Sequence, residues 1–70
     1  MKNIILEFTL NGRKHTYYRR NTYLGEALTT TNIFSAKRLN KENVLEIVEQ
    51  LKKQFGNNIT DIKPIKMDEK

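Results

Sequence analysis

The chain has no cysteine, one histidine and one proline among its 70 residues. Without cysteine there is no disulfide, no thiolate catalysis and none of the usual structural zinc sites, so packing alone must hold the fold together. A single histidine, His15, cannot form a metal site by itself. Apolar runs are equally scarce: the longest, Ile4-Ile5-Leu6, falls far short of the roughly 18 to 20 residues a membrane span requires, and no apolar signal-peptide core follows the N-terminus. A cytoplasmic, reducing location is the expectation, with no membrane partner. Gly12, Gly25 and Gly56 stand too far apart to form a phosphate-cradling loop. A chain of this length folds as one domain and buries only roughly 60% of the surface its unfolded form exposes, which leaves no room for a large active-site cavity. No cofactor, metal or small-molecule substrate is expected.

Lysine, asparagine and isoleucine fill 24 of the 70 positions. All three have AT-rich codons, which fits an AT-rich bacterium or one of its phages. The formal charge is +5, and its placement matters more than its size. Up to Leu24 there are five cations (Lys2, Arg13, Lys14, Arg19, Arg20) against Glu7; from Gly25 to Asn40 there are Lys37 and Arg38 against Glu26; beyond Asn40 the charges cancel. The positive excess therefore belongs to the N-terminal half.

Periodicity supplies the elements. Asn3 to Leu10 alternates, with Ile4, Leu6, Phe8 and Leu10 on one side and Ile5, Glu7 and Thr9 on the other, as a half-buried strand requires. Asn11-Gly12 suits a type I′ turn, and Arg13 to Arg20 returns as the second strand of a hairpin. Asn21 to Tyr23 reads as another turn, the stretch to Thr31 as one or two short strands, Ile33 to Ala36 as a helical turn, and Lys37-Arg38-Leu39 as a short extended piece. A helix follows: Asn40 caps it, Val44, Ile47, Val48, Leu51 and Phe55 form one apolar stripe, and Gly56 ends it. Leu45 lies off the stripe, where it could seed a dimer contact or mean nothing. Ile59 to Lys66 closes the domain as a last strand, kept to an edge by Pro64. The predicted architecture is α+β: an antiparallel sheet of three to four strands with one helix packed on one face, in the order β-β-(β)-α-β, spanning residues 1–66, with 67–70 as a frayed tail.

A helix with one stripe covers one face of the sheet, so the other must meet water or a partner. A two-residue turn at Asn11-Gly12 sets Phe8 opposite His15, Leu6 opposite Tyr17 and Ile5 opposite Tyr18. On that register Lys14, Thr16, Tyr18 and Arg20 join Ile5 on the open face, and Tyr17 and His15 go to the core side. A one-residue bulge would exchange Tyr17 for Tyr18. The expected partner-binding residues are Ile5, Lys14, Tyr18, Arg20 and Arg38, because tyrosine and arginine dominate interface energetics. Arginine and lysine also engage phosphates and an exposed tyrosine stacks bases, so nucleic acid is the second reading. A third is that these are ordinary residues of a solvated sheet face. His15 has no serine, aspartate or glutamate at a spacing that suggests a triad, and no enzymatic activity is expected.

The order hairpin, YLGEALTTTNIFSAKRL (Tyr23 to Leu39), capped helix and short final strand resembles short uncharacterised phage and prophage accessory proteins of AT-rich Gram-positive bacteria. The matching pieces are Tyr23-Leu24, Leu28 to Thr31 and Ala36-Lys37-Arg38-Leu39. The resemblance implies a mobile-element accessory protein, a monomer or weak homodimer, that binds a host or phage macromolecule. A protein partner is the favoured reading.

Overall fold

The structure, a computed structural model, describes residues 3–67. Four strands, β1 (Ile4–Leu10), β2 (Arg13–Asn21), β3 (Ala27–Thr30) and β4 (Ile59–Lys66), form one antiparallel sheet in the order β3-β2-β1-β4, and one helix, α1 (Lys41–Phe55), packs on one side of it. Only one strand lies between the hairpin and the helix, so the element order is β-β-β-α-β. The turn between β1 and β2 has Asn11 at φ 53° and Gly12 at φ 81°, the two left-handed positions a type I′ turn needs. β2 runs on through Asn21, and the second turn is displaced to Thr22–Glu26, where Gly25 N–H donates to the Thr22 carbonyl. From residue 68 onward the expected tail lies outside the described residues; Met67 N–H donates to the Asn3 carbonyl at 2.6 Å.

The helix forms where its caps and stripe dictate. The Asn40 side chain accepts from Asn43 N–H, Glu42 sits in the first turn, Lys52 and Lys53 in the last, and Gly56 takes φ 58° to leave the helix. Its stripe buries Ile47 and Leu51 against Leu6, Phe8, Tyr18, Ala27, Leu39 and Ile59, with Val44, Val48 and Phe55 at the margin. Each large apolar side chain buried there contributes about 1.5–3 kcal/mol. Leu45 is exposed, as its place off the stripe requires.

The segment between β3 and α1 shapes the other side of the sheet. At its far end Lys37 N–H donates to the Tyr18 carbonyl, and Leu39 and Ile4 exchange two backbone bonds, so Lys37–Leu39 is wedged between the end of β2 and the start of β1. β3 lies on the outer side of β2, so residues 31–36 must pass over that strand. The helix and its core occupy one side. The passage therefore lies on the far side, the side away from α1, and Ile33 within it is half-buried without joining the helix-side cluster. This crossing accounts for an unexpected burial: Ile5 and Tyr17 face away from the helix, yet are 1% and 6% exposed. The face expected to be open is partly roofed by the protein's own chain.

Candidate functional site

The hairpin does not keep the simple register. Leu10 still faces Arg13, but Phe8 faces Thr16 and Glu7 faces Tyr17, so β2 carries an extra residue at Lys14-His15, with His15 at φ 61°. Every residue from Thr16 to Tyr18 is thereby moved to the opposite side from the one expected. Tyr18 joins the helix-side core at 2% exposure and its hydroxyl donates to Asn21 Oδ1 at 2.8 Å, while Tyr17 goes to the far side. Burial raises the Tyr18 phenol above its ordinary value. Two of the five expected contact residues, Tyr18 and Ile5, are therefore withdrawn from any partner. A second irregularity, between Tyr18 and Arg20 against β3, sets Arg20 opposite Leu28 and Asn21 opposite the core residue Ala27. Arg20 thus returns to the far side. Arg38, preceding the buried Leu39 in an extended piece, falls on that side too and is exposed; Lys14 is exposed at the opposite end of the hairpin. Lys14, Arg20 and Arg38 remain accessible, but only the last two share one end.

The same bulge assembles a cluster that spacing along the chain concealed. Glu7 Oε2 accepts from the Tyr17 hydroxyl at 2.9 Å and lies 3.1 Å from His15 Nδ1, and Oε1 lies 3.4 Å from Lys63 Nζ. Glu7 is almost fully buried, whereas the His15 side chain is 76% exposed. The His15 contact first, then Tyr17 and Lys63, holds the Glu7 carboxyl below the ordinary 4.5 despite the desolvation that opposes ionisation. Desolvation, reinforced by Glu7, lifts the Tyr17 phenol above 10. Asp61 flanks β1 on its other side, also bulged and also left-handed at φ 57°, so the residues on both sides of Phe8 are conformationally strained. Glu7, His15, Asp61 and Lys63, without Tyr17, line a cleft of about 400 Å³. Both carboxylate oxygens have partners and the Tyr17 proton is committed to Glu7. Chemically the cluster ties β2 and β4 to β1 through one buried anion. The only visible signal in the sequence was that Glu7 is the sole acid before Gly25 and sits in mid-strand.

The exposed surface offers a different set of groups. Tyr23, Leu24 and Phe34 are large apolar residues in solvent, Tyr23 and Phe34 at 97% and 94% exposure. The first two belong to the turn before β3 and Phe34 to the crossing after it, so they bracket that strand. Between Arg13 and Arg38 six exposed cations face one exposed acid, Glu26. The sheet edges, in contrast, are closed to strand addition. On β3, the Gln54 side chain accepts from Ala27 N–H at 2.7 Å and donates to the Ala27 carbonyl at 3.1 Å, occupying the backbone groups a new strand would use. On β4, Pro64 lacks a donor and the Asp61 bulge bends the strand, with Lys63 and Lys66 alongside.

Among the described residues no group of three histidine, aspartate or glutamate side chains is placed to hold a metal ion, and no helix is long and apolar enough to cross a membrane. No family model matches the chain, and no curated protein or solved structure matches it either.

Proposed function

We propose that the protein is a non-enzymatic binding module that acts by protein–protein interaction through the far side of its sheet and the crossing that roofs it. The observation that carries this reading is the exposure of Phe34, Tyr23 and Leu24, three large apolar side chains in solvent on the segments that bracket β3, in a part of the chain that also exposes Arg20 and Arg38. Large apolar side chains in solvent beside arginines are the groups that supply most of the energy in protein interfaces. The resemblance of Tyr23-Leu24, Leu28 to Thr31 and Ala36 to Leu39 to short phage and prophage proteins supports an accessory role in a mobile element, in the cytoplasm, as a monomer or weak homodimer. Immobilised protein should retain partners from nuclease-treated extract of the cells that carry it, and Phe34→Ser should lose them. Retention of the same set by Phe34→Ser would remove this face from the proposal.

A second reading, nucleic-acid binding, is favoured by the six exposed cations set against Glu26. It requires affinity for an oligonucleotide that falls steeply with salt and weakens when Lys14, Arg20 or Arg38 is neutralised. Absence of oligonucleotide binding at low salt ends it.

A further inference from the structure

We infer that the outer face of α1 binds a second copy of this chain, the two helices crossing antiparallel about a two-fold axis at Leu45, with Lys41 of each copy meeting Glu49 of the other. The inference goes beyond the far-side reading above, concerns a different face and stands or falls separately from it.

Three observations lead to it. First, the apolar margin of the core runs out to the surface here. Leu45 is 67% exposed and stands at the lip of a groove of about 620 Å³ between α1 and the outer strand β4, whose apolar lining is Ile4, Val44, Leu45, Val48 and Pro64. Pro64 offers no backbone donor at that edge, so a partner must be held by side chains and not as an added strand.

Second, the charges along α1 match a copy of the same helix. Lys41 stands four residues before Leu45 and Glu49 four after it, each about 6 Å along the axis and on one ridge of the helix. Antiparallel pairing about Leu45 reverses that order on the second copy, so both Lys41–Glu49 pairs form at once, as two-fold symmetry requires. Ridges of this spacing pack at a crossing of about −50°, the commonest between helices. Lys41 and Glu49 are exposed, and neither has an ion-pair partner among the described residues. Opposite charges set equally on either side of an apolar residue complement their own sequence read backwards.

Third, two copies of a chain with a net charge of +5 meet least repulsion at α1. Between Arg13 and Lys37 five exposed cations face Glu26, whereas along α1 Lys41, Lys52 and Lys53 balance Glu42, Glu46 and Glu49. Copies meeting through the hairpin would repel one another; copies meeting through the helix would not. A single ridge with its groove margin falls short of the roughly 800 Å² per partner of a stable complex, so the dimer is weak and exchanges with monomer. The far side of each sheet points away from α1, and the dimer therefore presents two contact faces to a partner with two sites.

Sedimentation of the full chain up to millimolar concentration tests this, with circular dichroism checking that each variant folds. The parent should approach the mass of a dimer as concentration rises. Leu45→Lys, which sets like charges on the axis, should weaken association at least about tenfold, and Lys41→Glu or Glu49→Lys alone about tenfold, since each turns two attractive pairs repulsive. The double variant Lys41→Glu/Glu49→Lys should associate like the parent, and an equimolar mixture of the two single variants should form heterodimers, because every pair across the axis is then opposite in sign. Phe34→Ser should leave association unchanged. A parent chain that stays monomeric overturns the inference and leaves the far-side reading standing, as does a dimer indifferent to Leu45→Lys. Failure of the double variant to recover association overturns the antiparallel arrangement, and loss of the dimer in Phe34→Ser would move the contact to the far side and overturn the inference as well.

Discussion

Tyr17 and Tyr18 are neighbours in β2, equally buried, and held in opposite ways. Tyr18 lies among Leu6, Phe8 and Leu51 on the helix side, where its ring fills space and only its hydroxyl reaches out, to Asn21. Tyr17 lies beneath the crossing, where its hydroxyl is tied to the buried carboxylate of Glu7. The helix side is stabilised by apolar packing that acid hardly touches; the far side is stabilised by one anion and its donors. A face that a single helix cannot cover is thus closed by a stretch of loop and a charge-assisted network, and the two sides should fail under different conditions.

The largest effect should come from the helix side. Tyr18→Ala removes a ring that cannot be replaced from solvent and should cost about 3–5 kcal/mol, read from the midpoint of urea unfolding. In a domain this small that loss is enough to leave much of the protein unfolded. Tyr17→Phe keeps the ring and removes one hydrogen bond to a charged acceptor, so it should cost about 1.5–3 kcal/mol. Equal losses from the two substitutions would erase the distinction between the faces.

The far side should instead respond to pH. Glu7 ionises more readily folded than unfolded, so its contribution is present above the unfolded value near 4.5 and is lost as pH falls through the lower folded value. Glu7→Gln should cost about 1–3 kcal/mol at neutral pH, because it leaves the buried Tyr17 hydroxyl facing a weaker acceptor, and should flatten the acid limb of the stability profile. At the alkaline end the sign reverses: the Tyr17 phenol stays protonated in the fold beyond 10, so unfolded chains lose that proton first and stability falls as pH rises past 10. An unchanged acid limb in Glu7→Gln would mean that the carboxylate is not the far side's support.

The two sides also differ in how well they could be read from the sequence. The helix side was legible because periodicity encodes it: the stripe from Val44 to Phe55, the Asn40 cap and the stop at Gly56 all lie where spacing puts them. The hairpin turn was legible because Asn11-Gly12 has the conformations the turn demands. Register was not, since one extra residue at His15 inverts the side chains from Thr16 to Tyr18, and a histidine takes the left-handed conformation too seldom for its presence to mark a bulge. The bulge is favoured by contacts between residues distant in sequence, Tyr17 and His15 with Glu7, and Glu7 with Lys63. The same inversion is why Tyr18 failed as a contact residue while Arg20, restored by a second irregularity, kept its side; Ile5 kept its side too and was lost to the crossing that covers it. Phe34 was passed over because a lone aromatic in a turn has no periodicity to mark it.

The helix side protects the sheet as well as covering it. Gln54→Ala deletes both side-chain bonds to Ala27 and should cost about 1 kcal/mol, while exposing the donor and acceptor of an edge strand. Sedimentation at rising protein concentration should then detect self-association stronger than the parent chain's. A Gln54→Ala variant that associates no more than the parent would show that the edge is too short to recruit a strand even when uncovered.

The smallest effect separates the two strained residues beside Glu7. Both His15 and Asp61 hold positive φ, which costs a non-glycine residue about 1–2 kcal/mol and an aspartate less. Glycine relieves that strain but loses more freedom on folding, by about 0.5–1 kcal/mol. At Asp61, which is exposed and makes no bond to Glu7, the relief should slightly prevail, a gain of about 0.5 kcal/mol or roughly 2–4 °C in thermal midpoint. Asp61→Asn, which removes the charge and keeps the strain, should stay near the parent. At His15 the same substitution removes the contact at 3.1 Å to the buried carboxylate and should destabilise. Matching gains at both positions would mean that His15 adds nothing to the far side beyond its backbone, and that Tyr17 and Lys63 alone hold Glu7 in place.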